Sequence, residues 1–255
     1  RKEPIHELTD SHSKRGFMNH SEVLGLASQC IQDYLETLQE RGVGKSLTPE
    51  SLKAKLELKL KVAGTSPGDL REDVQHYLKH AVATLHPQFM NQLFSGLQPW
   101  AIAGELLSVV TNTTMATFEA SPVATLMERE LVAHLAAFAG WSTGAGVMVT
   151  GGSNANLVGM LMARNRAFPQ FKKTGVSGER LVAFVSEDAH YSFGKAANLM
   201  GLGSDNIRSV ATDERGRMSP MALAEAIRQS REQGERPFFI AATAGTTAPG
   251  AFAPL

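Results

Sequence analysis

VTGGSNANLVGM, residues 149–160, carries a short apolar run into two glycines and a serine, then into a stretch with apolar residues at helical spacing. A turn of this kind leaves the first N–H groups of the helix without carbonyl partners and sets the positive end of the helix dipole beside them. Glycine lets the backbone approach a ligand closely, and the Ser153 hydroxyl adds a donor. Thr150-Gly151-Gly152-Ser153 is therefore suited to a phosphate. It has neither the G-x-G-x-x-G spacing of a dinucleotide site nor the Gly-Lys-Ser/Thr ending of a nucleoside-triphosphate loop. On spacing alone, a purely structural strand-to-helix turn fits as well as an anion site.

The same alternation continues downstream. GVMVT (146–150) predicts a strand, followed by a helix over 154–167. LVAFVS (181–186) predicts a second strand, with a helix from about Tyr191 to Met200. IRSVAT (207–212) follows, Ser219-Pro220 opens a helix to about Arg231, and FFIAAT (238–243) is the last strand. The pattern implies an α/β fold, a mostly parallel sheet with helices on both faces and its ligands at the carboxyl ends of the strands. Two further strand ends are polar. His190 leaves the second strand in Glu187-Asp188-Ala189-His190-Tyr191-Ser192. It is placed to stack on a cofactor or move a proton, or else to serve as a helix-entry histidine bonded to a neighbour. The third end is Thr243-Ala244-Gly245-Thr246-Thr247. Three such ends on one edge predict a shared pocket.

Upstream, Val23, Leu24, Leu26, Ala27, Cys30, Ile31, Tyr34, Leu35 and Leu38 predict a helix from Ser21 to near Gly42. Thr48-Pro49 reads as the N-cap and first residue of another. Ser66-Pro67-Gly68-Asp69 predicts a break before a helix over about 70–84. Residues 1–85 are thus a helical N-terminal segment, and 86–255 begin a different domain. That domain opens with helices at about 101–110 and from Ser121-Pro122 to Gly140.

Of the 255 residues, 43% are hydrophobic, enough for a substantial core. Lys plus Arg equals Asp plus Glu at 25 each, so there is no basic footprint for nucleic acid or an anionic membrane surface. Cys30 is the single cysteine, which rules out an intrachain disulfide and fits a cytoplasmic setting. No apolar run approaches the ~20 residues of a membrane span, and RKEPIHELTDSHSKRG is too polar for a signal peptide.

Five blocks, in order, resemble the pyridoxal-phosphate-dependent group II amino-acid decarboxylases of the glutamate, cysteine-sulfinate and aspartate type. They are FMNQLFSGL (89–97), FEASPVATLMERELV (118–132), GGSNANL (151–157), SEDAHYS (186–192) and ATAGTTAPGAF (242–252). The resemblance spans roughly Pro87 to Pro254 and implies part of a PLP-dependent transferase-like (fold type I) large domain behind a helical arm that packs across a homodimer. It implies pyridoxal 5'-phosphate as cofactor, held at its phosphate by Gly152 and Ser153. His190 would stack on the pyridine and act as the catalytic proton donor, with Thr247 beside the ring. Gln92 would bind substrate, Leu93 and Phe94 would shape the pocket, and Asn112 is a further substrate candidate. The implied reaction is decarboxylation of a small acidic L-amino acid to its amine and CO2. The bulk of Phe94 favours aspartate or cysteine sulfinate over glutamate.

The family's cofactor-anchoring lysine and the aspartate facing the pyridine nitrogen belong downstream of Leu255. The chain is therefore expected to be an N-terminal portion that is inactive alone. Ala253 stands where the family usually has aspartate, which puts hydrogen bonding at the end of that loop in doubt. Another pyridoxal-phosphate enzyme such as an aminotransferase, or an inactive scaffold of the same fold, stays open. Lys172, Lys173 and Lys195 read as surface lysines. His76 and His80, four apart on a helix, read as a solvent-facing pair with no third metal ligand in view.

Overall fold

The computed structural model describes residues 19–56, 58, 66–91, 93–175 and 178–254. They fall into two units, the first running to Leu106 and the second from Leu107. In the first unit, helices start where side chains satisfy their free N–H groups. α1 (His20–Glu36) opens on a capping box: Asn19 Oδ1 accepts from the Glu22 N–H at 3.0 Å, and the Glu22 carboxylate accepts from the Asn19 N–H at 2.8 Å. Thr48 caps α2 (Pro49–Lys55) by accepting from the Ser51 N–H at 3.2 Å. α3 (Pro67–His80) starts earlier than its apolar pattern suggests, because Ser66 and Asp69 form a second capping box. The Pro-Gly pair that reads as a break lies inside the first turn, where proline's missing N–H would lack a helical partner anyway. α1 and α3 pack together, and Cys30 is buried. α4 (Pro99–Thr111) ends at Asn112, a non-glycine residue in the left-handed region at φ +44°.

The second unit corrects the first predicted strand. Residues 146–150 do not join the sheet; they run back along α5 (Pro122–Phe138). Gly144 faces Ala136, Gly146 faces Val132, and the Met148 N–H donates to Glu128 Oε1 at 2.7 Å. Two extended residues advance about 6.6 Å and four helical residues about 6 Å, so alternate residues meet successive turns of the helix. A Cβ at Gly144 would stand 2.4 Å from that of Ala136, which leaves room for glycine alone.

After α6 (Gly152–Ala167) and the single turn α7 (Phe171–Thr174) come three parallel strands: β1 (Leu181–Ser186), β2 (Ile207–Val210) and β3 (Arg236–Ala241), in the order β2-β1-β3. β1 is buried along its whole length. Leu181, Ala183 and Val185 pack on one face with Met160 of α6 and with Phe193, Ala196 and Ala197 of α8 (Ser192–Leu199). Val182 and Phe184 pack on the other with Met218 and the apolar side of α9 (Pro220–Glu232). A strand with both alternating sets apolar can only sit between two helical layers. β3 begins two residues before FFIAAT, because the Arg236 N–H reaches the Arg180 carbonyl at 2.8 Å. Val182 pairs with Pro237 and Ala183 with Phe239, so Phe238 is an extra residue in the ladder beside a proline that has no N–H to give. No helix among the described residues is long and apolar enough to cross a membrane.

A buried ion cluster closes the opposite end of the sheet. The Glu235 carboxylate accepts from Arg208 Nη2 at 2.5 Å and Ser230 Oγ at 2.8 Å, with Arg180 Nη1 at 3.2 Å. Burial works to raise this carboxyl, and the Ser230 hydroxyl and the two guanidiniums outweigh it, holding it below the ordinary 4.5. Its contribution to stability is therefore complete above the unfolded carboxyl's titration and disappears as pH falls through the lower folded-state value. Glu235→Gln should cost about 1.5–3 kcal/mol at neutral pH. It should cost little at a pH below both values, where the wild-type carboxyl is neutral too. Urea unfolding at the two pH values measures the difference.

Candidate functional site

At the carboxyl edge of the sheet, three segments converge on a cavity of about 460 Å³. Gly152, Ser153 and Asn156 come from the first turns of α6, His190 from the passage between β1 and α8, and Phe193 from the first turn of α8. Ala242, Thr243, Ala244 and Thr247 come from the chain leaving β3. Gly152 and Ser153, His190, and Thr247, which the sequence puts on three separate segments, therefore share one hollow.

Gly151 makes the first wall possible. Its φ of +116° and ψ of 169° lie in a region open essentially to glycine alone. Its carbonyl accepts from the N–H groups of Asn154 and Ala155, both at 3.0 Å. The N–H groups of Gly152 and Ser153 lie ahead of those bonds, where no helical carbonyl can serve them. Among the described residues, nothing beyond its chain neighbours and its own helix backbone lies within 4 Å of a Cβ built on Gly152, so the backbone there is open. The dipole of the 16-residue α6 adds positive potential.

The second wall is fixed by the end of β1. Glu187 reaches sideways to β2's end and accepts from the Thr212 hydroxyl at 2.5 Å and the Thr212 N–H at 2.7 Å. The hydroxyl first, and then the N–H, hold this exposed carboxyl below its ordinary range. Ser186 Oγ accepts from the Asp188 N–H at 3.2 Å. His190 emerges from this braced loop half-buried, with Nδ1 accepting from the Ser192 N–H at 3.2 Å and its ring 4.2 Å from that of Tyr191.

The third wall is a closed turn. The N–H groups of Gly245 and Thr246 donate to the Ala251 carbonyl at 3.2 and 2.9 Å, and Thr246 Oγ1 accepts from the Ala251 N–H at 2.9 Å. Thr246 is buried in holding the turn shut, while its exposed neighbour Thr247 lines the cavity.

No Asp, Glu, Lys or Arg is among the lining residues. N–H groups and hydroxyls suit an anion, and the flat rings of His190 and Phe193 suit an aromatic ligand body. Lys172, Lys173 and Lys195 are exposed, and the Lys195 ammonium lies 4.3 Å over the Tyr191 ring.

The described substrate candidates are not among the cavity's lining residues. Gln92 is outside the described residues. Leu93 and Phe94 are exposed in the first unit, where Phe94 meets Phe89 edge-on at 5.6 Å. Asn112 is not among the cavity's lining residues; its left-handed backbone terminates α4. Sequence reasoning missed Asn156 and Phe193, and it named Thr243 only as part of the third strand end. The available signal for Asn156 was its place one helical turn beyond Gly152, a polar residue between Ala155 and Leu157. Gly151→Ala should cost about 1–3 kcal/mol through backbone strain alone. Chemical denaturation of this variant beside Gly159→Ala, a mid-helix glycine with open space around it and no positive φ, checks that the cost is conformational.

A pyridoxal-dependent decarboxylase conserved domain matches residues 49–255. Human cysteine sulfinic acid decarboxylase is 42% identical over 208 residues, which cover 81% of this chain and 42% of that protein. Human acidic amino acid decarboxylase GADL1 is 39% identical over 208 residues, 81% of this chain and 40% of that protein. The crystal structure of mouse CSAD aligns with a TM-score of 0.88 at 39% identity, covering 91% of this chain and 50% of that one. The chain therefore spans less than half the length of the curated relatives named here. Since the domain match runs through all three walls of the cavity, the chain belongs to the pyridoxal-dependent decarboxylase family.

Proposed function

We propose that this chain is the cofactor-binding part of a pyridoxal 5'-phosphate-dependent decarboxylase, cytoplasmic and acting on a small acidic L-amino acid: cysteine sulfinate, aspartate or glutamate. The observation that carries this reading is the single cavity lined by the first turn of α6, His190 and Thr247. Its donor set fits the group. Gly152 and Ser153 hold the phosphate, Thr247 lies beside the ring, and His190 stacks on it and holds the proton to be delivered. With no carboxylate among the lining residues, nothing in that set repels the phosphate. When bound, the cofactor supplies an electron sink for the carbanion that loss of CO2 leaves behind. The chain's own residues would hold the cofactor and orient the substrate beside it.

The lysine that anchors the cofactor belongs to sequence beyond this chain. Gln92 binds substrate, with Leu93, Phe94 and Asn112 shaping its site. The helical segment 1–85 acts as the arm of a homodimer.

Full-length protein reconstituted with pyridoxal phosphate should release the amine and CO2 from an acidic amino acid. A keto acid instead would make it an aminotransferase, and failure to bind the cofactor would make it a scaffold. Ser153→Asp puts a negative charge in the phosphate seat and should weaken cofactor binding by more than about tenfold, read by equilibrium titration. Phe94→Ser should raise kcat/KM for glutamate relative to cysteine sulfinate by about tenfold, in a direct competition assay.

A further inference from the structure

A short chain of hydrogen bonds crosses from α6 to α8 behind the cavity. Asn156 Nδ2 donates to Ser192 Oγ at 2.8 Å, and the Ser192 N–H donates to His190 Nδ1 at 3.2 Å. Asn156 lines the cavity, and Ser192 is 2% exposed.

The local cause lies in how α8 begins. Tyr191, at its N-cap, is already helical at φ −58° and ψ −12°, and no side-chain oxygen caps the helix. The Ser192 N–H still needs an acceptor, and the imidazole of His190 takes the place an N-cap oxygen would occupy. A ring nitrogen that accepts a backbone N–H cannot carry a proton, so the neutral imidazole carries its proton on Nε2. No described residue hydrogen-bonds to Nε2. Asn156 then sets where this arrangement sits. It belongs to the helix whose first turn presents Gly152 and Ser153, and its bond to Ser192 ties the anion seat to the histidine at one spacing. Ser192 Oγ, buried between the helices, would lose its partner without Asn156.

We propose that Asn156 and Ser192 are positioning residues for His190: they hold the imidazole as its Nε2–H tautomer and fix its distance from the phosphate seat. The proposal rests on the reading of His190 as the residue that faces the cofactor.

The test uses full-length protein labelled with 15N-histidine and free of cofactor, with His190 assigned by difference from His190→Gln. Two-bond proton–nitrogen correlations report which ring nitrogen is protonated. The wild type should show the single Nε2–H pattern. Asn156→Ala and Ser192→Ala both keep the residue-192 N–H but release it from its tie to α6, and each should admit the Nδ1–H tautomer beside the Nε2–H form. Their dissociation constants for pyridoxal phosphate should rise about three- to tenfold, the worth of one hydrogen bond. Their kcat should fall with substrate KM little changed. Asn156→Asp, whose carboxylate can accept from the Ser192 hydroxyl, should regain the wild-type pattern while its charge weakens cofactor binding. Retention of the Nε2–H pattern and of cofactor affinity in both alanine variants would overturn the proposal. So would its loss in a folded Asn156→Asp, which carries the test should the alanine variants not fold. Wild-type protein that binds no pyridoxal phosphate would remove the proposed function instead, and the tautomer pattern of the cofactor-free protein would still decide this inference.

Discussion

β1 has nowhere to put a polar side chain. Leu181, Ala183 and Val185 are packed on one face, Val182 and Phe184 on the other, and β2 and β3 take both of its edges. A strand sealed in this way must send every polar group to its ends. The amino end of the sheet spends its polarity on structure, with Glu235 locked among Arg180, Arg208 and Ser230. The carboxyl end is where crossovers to helices begin, and parallel neighbours bring their own ends to the same edge. Ser186 and Glu187 brace the exit of β1 against its own loop and the end of β2. His190 is the first side chain past that bracing to reach the cavity. The site is a consequence of a buried strand stopping.

What could be read from residue order follows from how local each feature is. β1 was legible to the residue, because six consecutive buried positions leave one solution. Helix starts at Thr48, Ser121 and Ser219 were legible too, since each serine or threonine precedes a proline at the first helical position. The segment at 146–150 was not. Its short apolar run suits an extended backbone, and α5 takes that backbone as an edge strand's neighbour would. An apolar run does not specify a partner. The extra residue Phe238 in β3 escaped for the same reason, being a property of the pairing.

The cavity divides along similar lines. Gly152, Ser153, His190 and Thr247 sit at strand ends or helix starts, positions that local patterns mark. Locally, Asn156 is marked only as a polar residue one helical turn beyond Gly152, which does not reveal its partner. Its role exists only once α6 lies beside α8, so that a side chain 36 positions away in sequence becomes a hydrogen-bond partner. Gly151 and Gly152 read alike in the sequence, whereas the two differ in kind. Gly151 needs its positive φ, and Gly152 is helical with open space where a side chain would stand.

The departure at Ala253 can be weighed on the same footing. The worry that losing an aspartate loosens the end of the loop assumes that a side chain at this position holds it. Here the loop is closed by main chain. The Ala253 N–H donates to the Thr243 carbonyl at 2.8 Å, the Gly250 N–H to the Thr246 carbonyl at 2.9 Å, and Thr246 Oγ1 takes the Ala251 N–H at 2.9 Å. The methyl group of Ala253 packs with Val182, Phe184, Val210 and Met218 in the apolar layer under α9. A carboxylate in that position would enter an apolar cluster and would have to bring a partner with it or neutralise. The alanine therefore matches the packing that surrounds it. The burden of holding Thr247 at the cavity passes to Thr246, whose hydroxyl closes the turn from the inside.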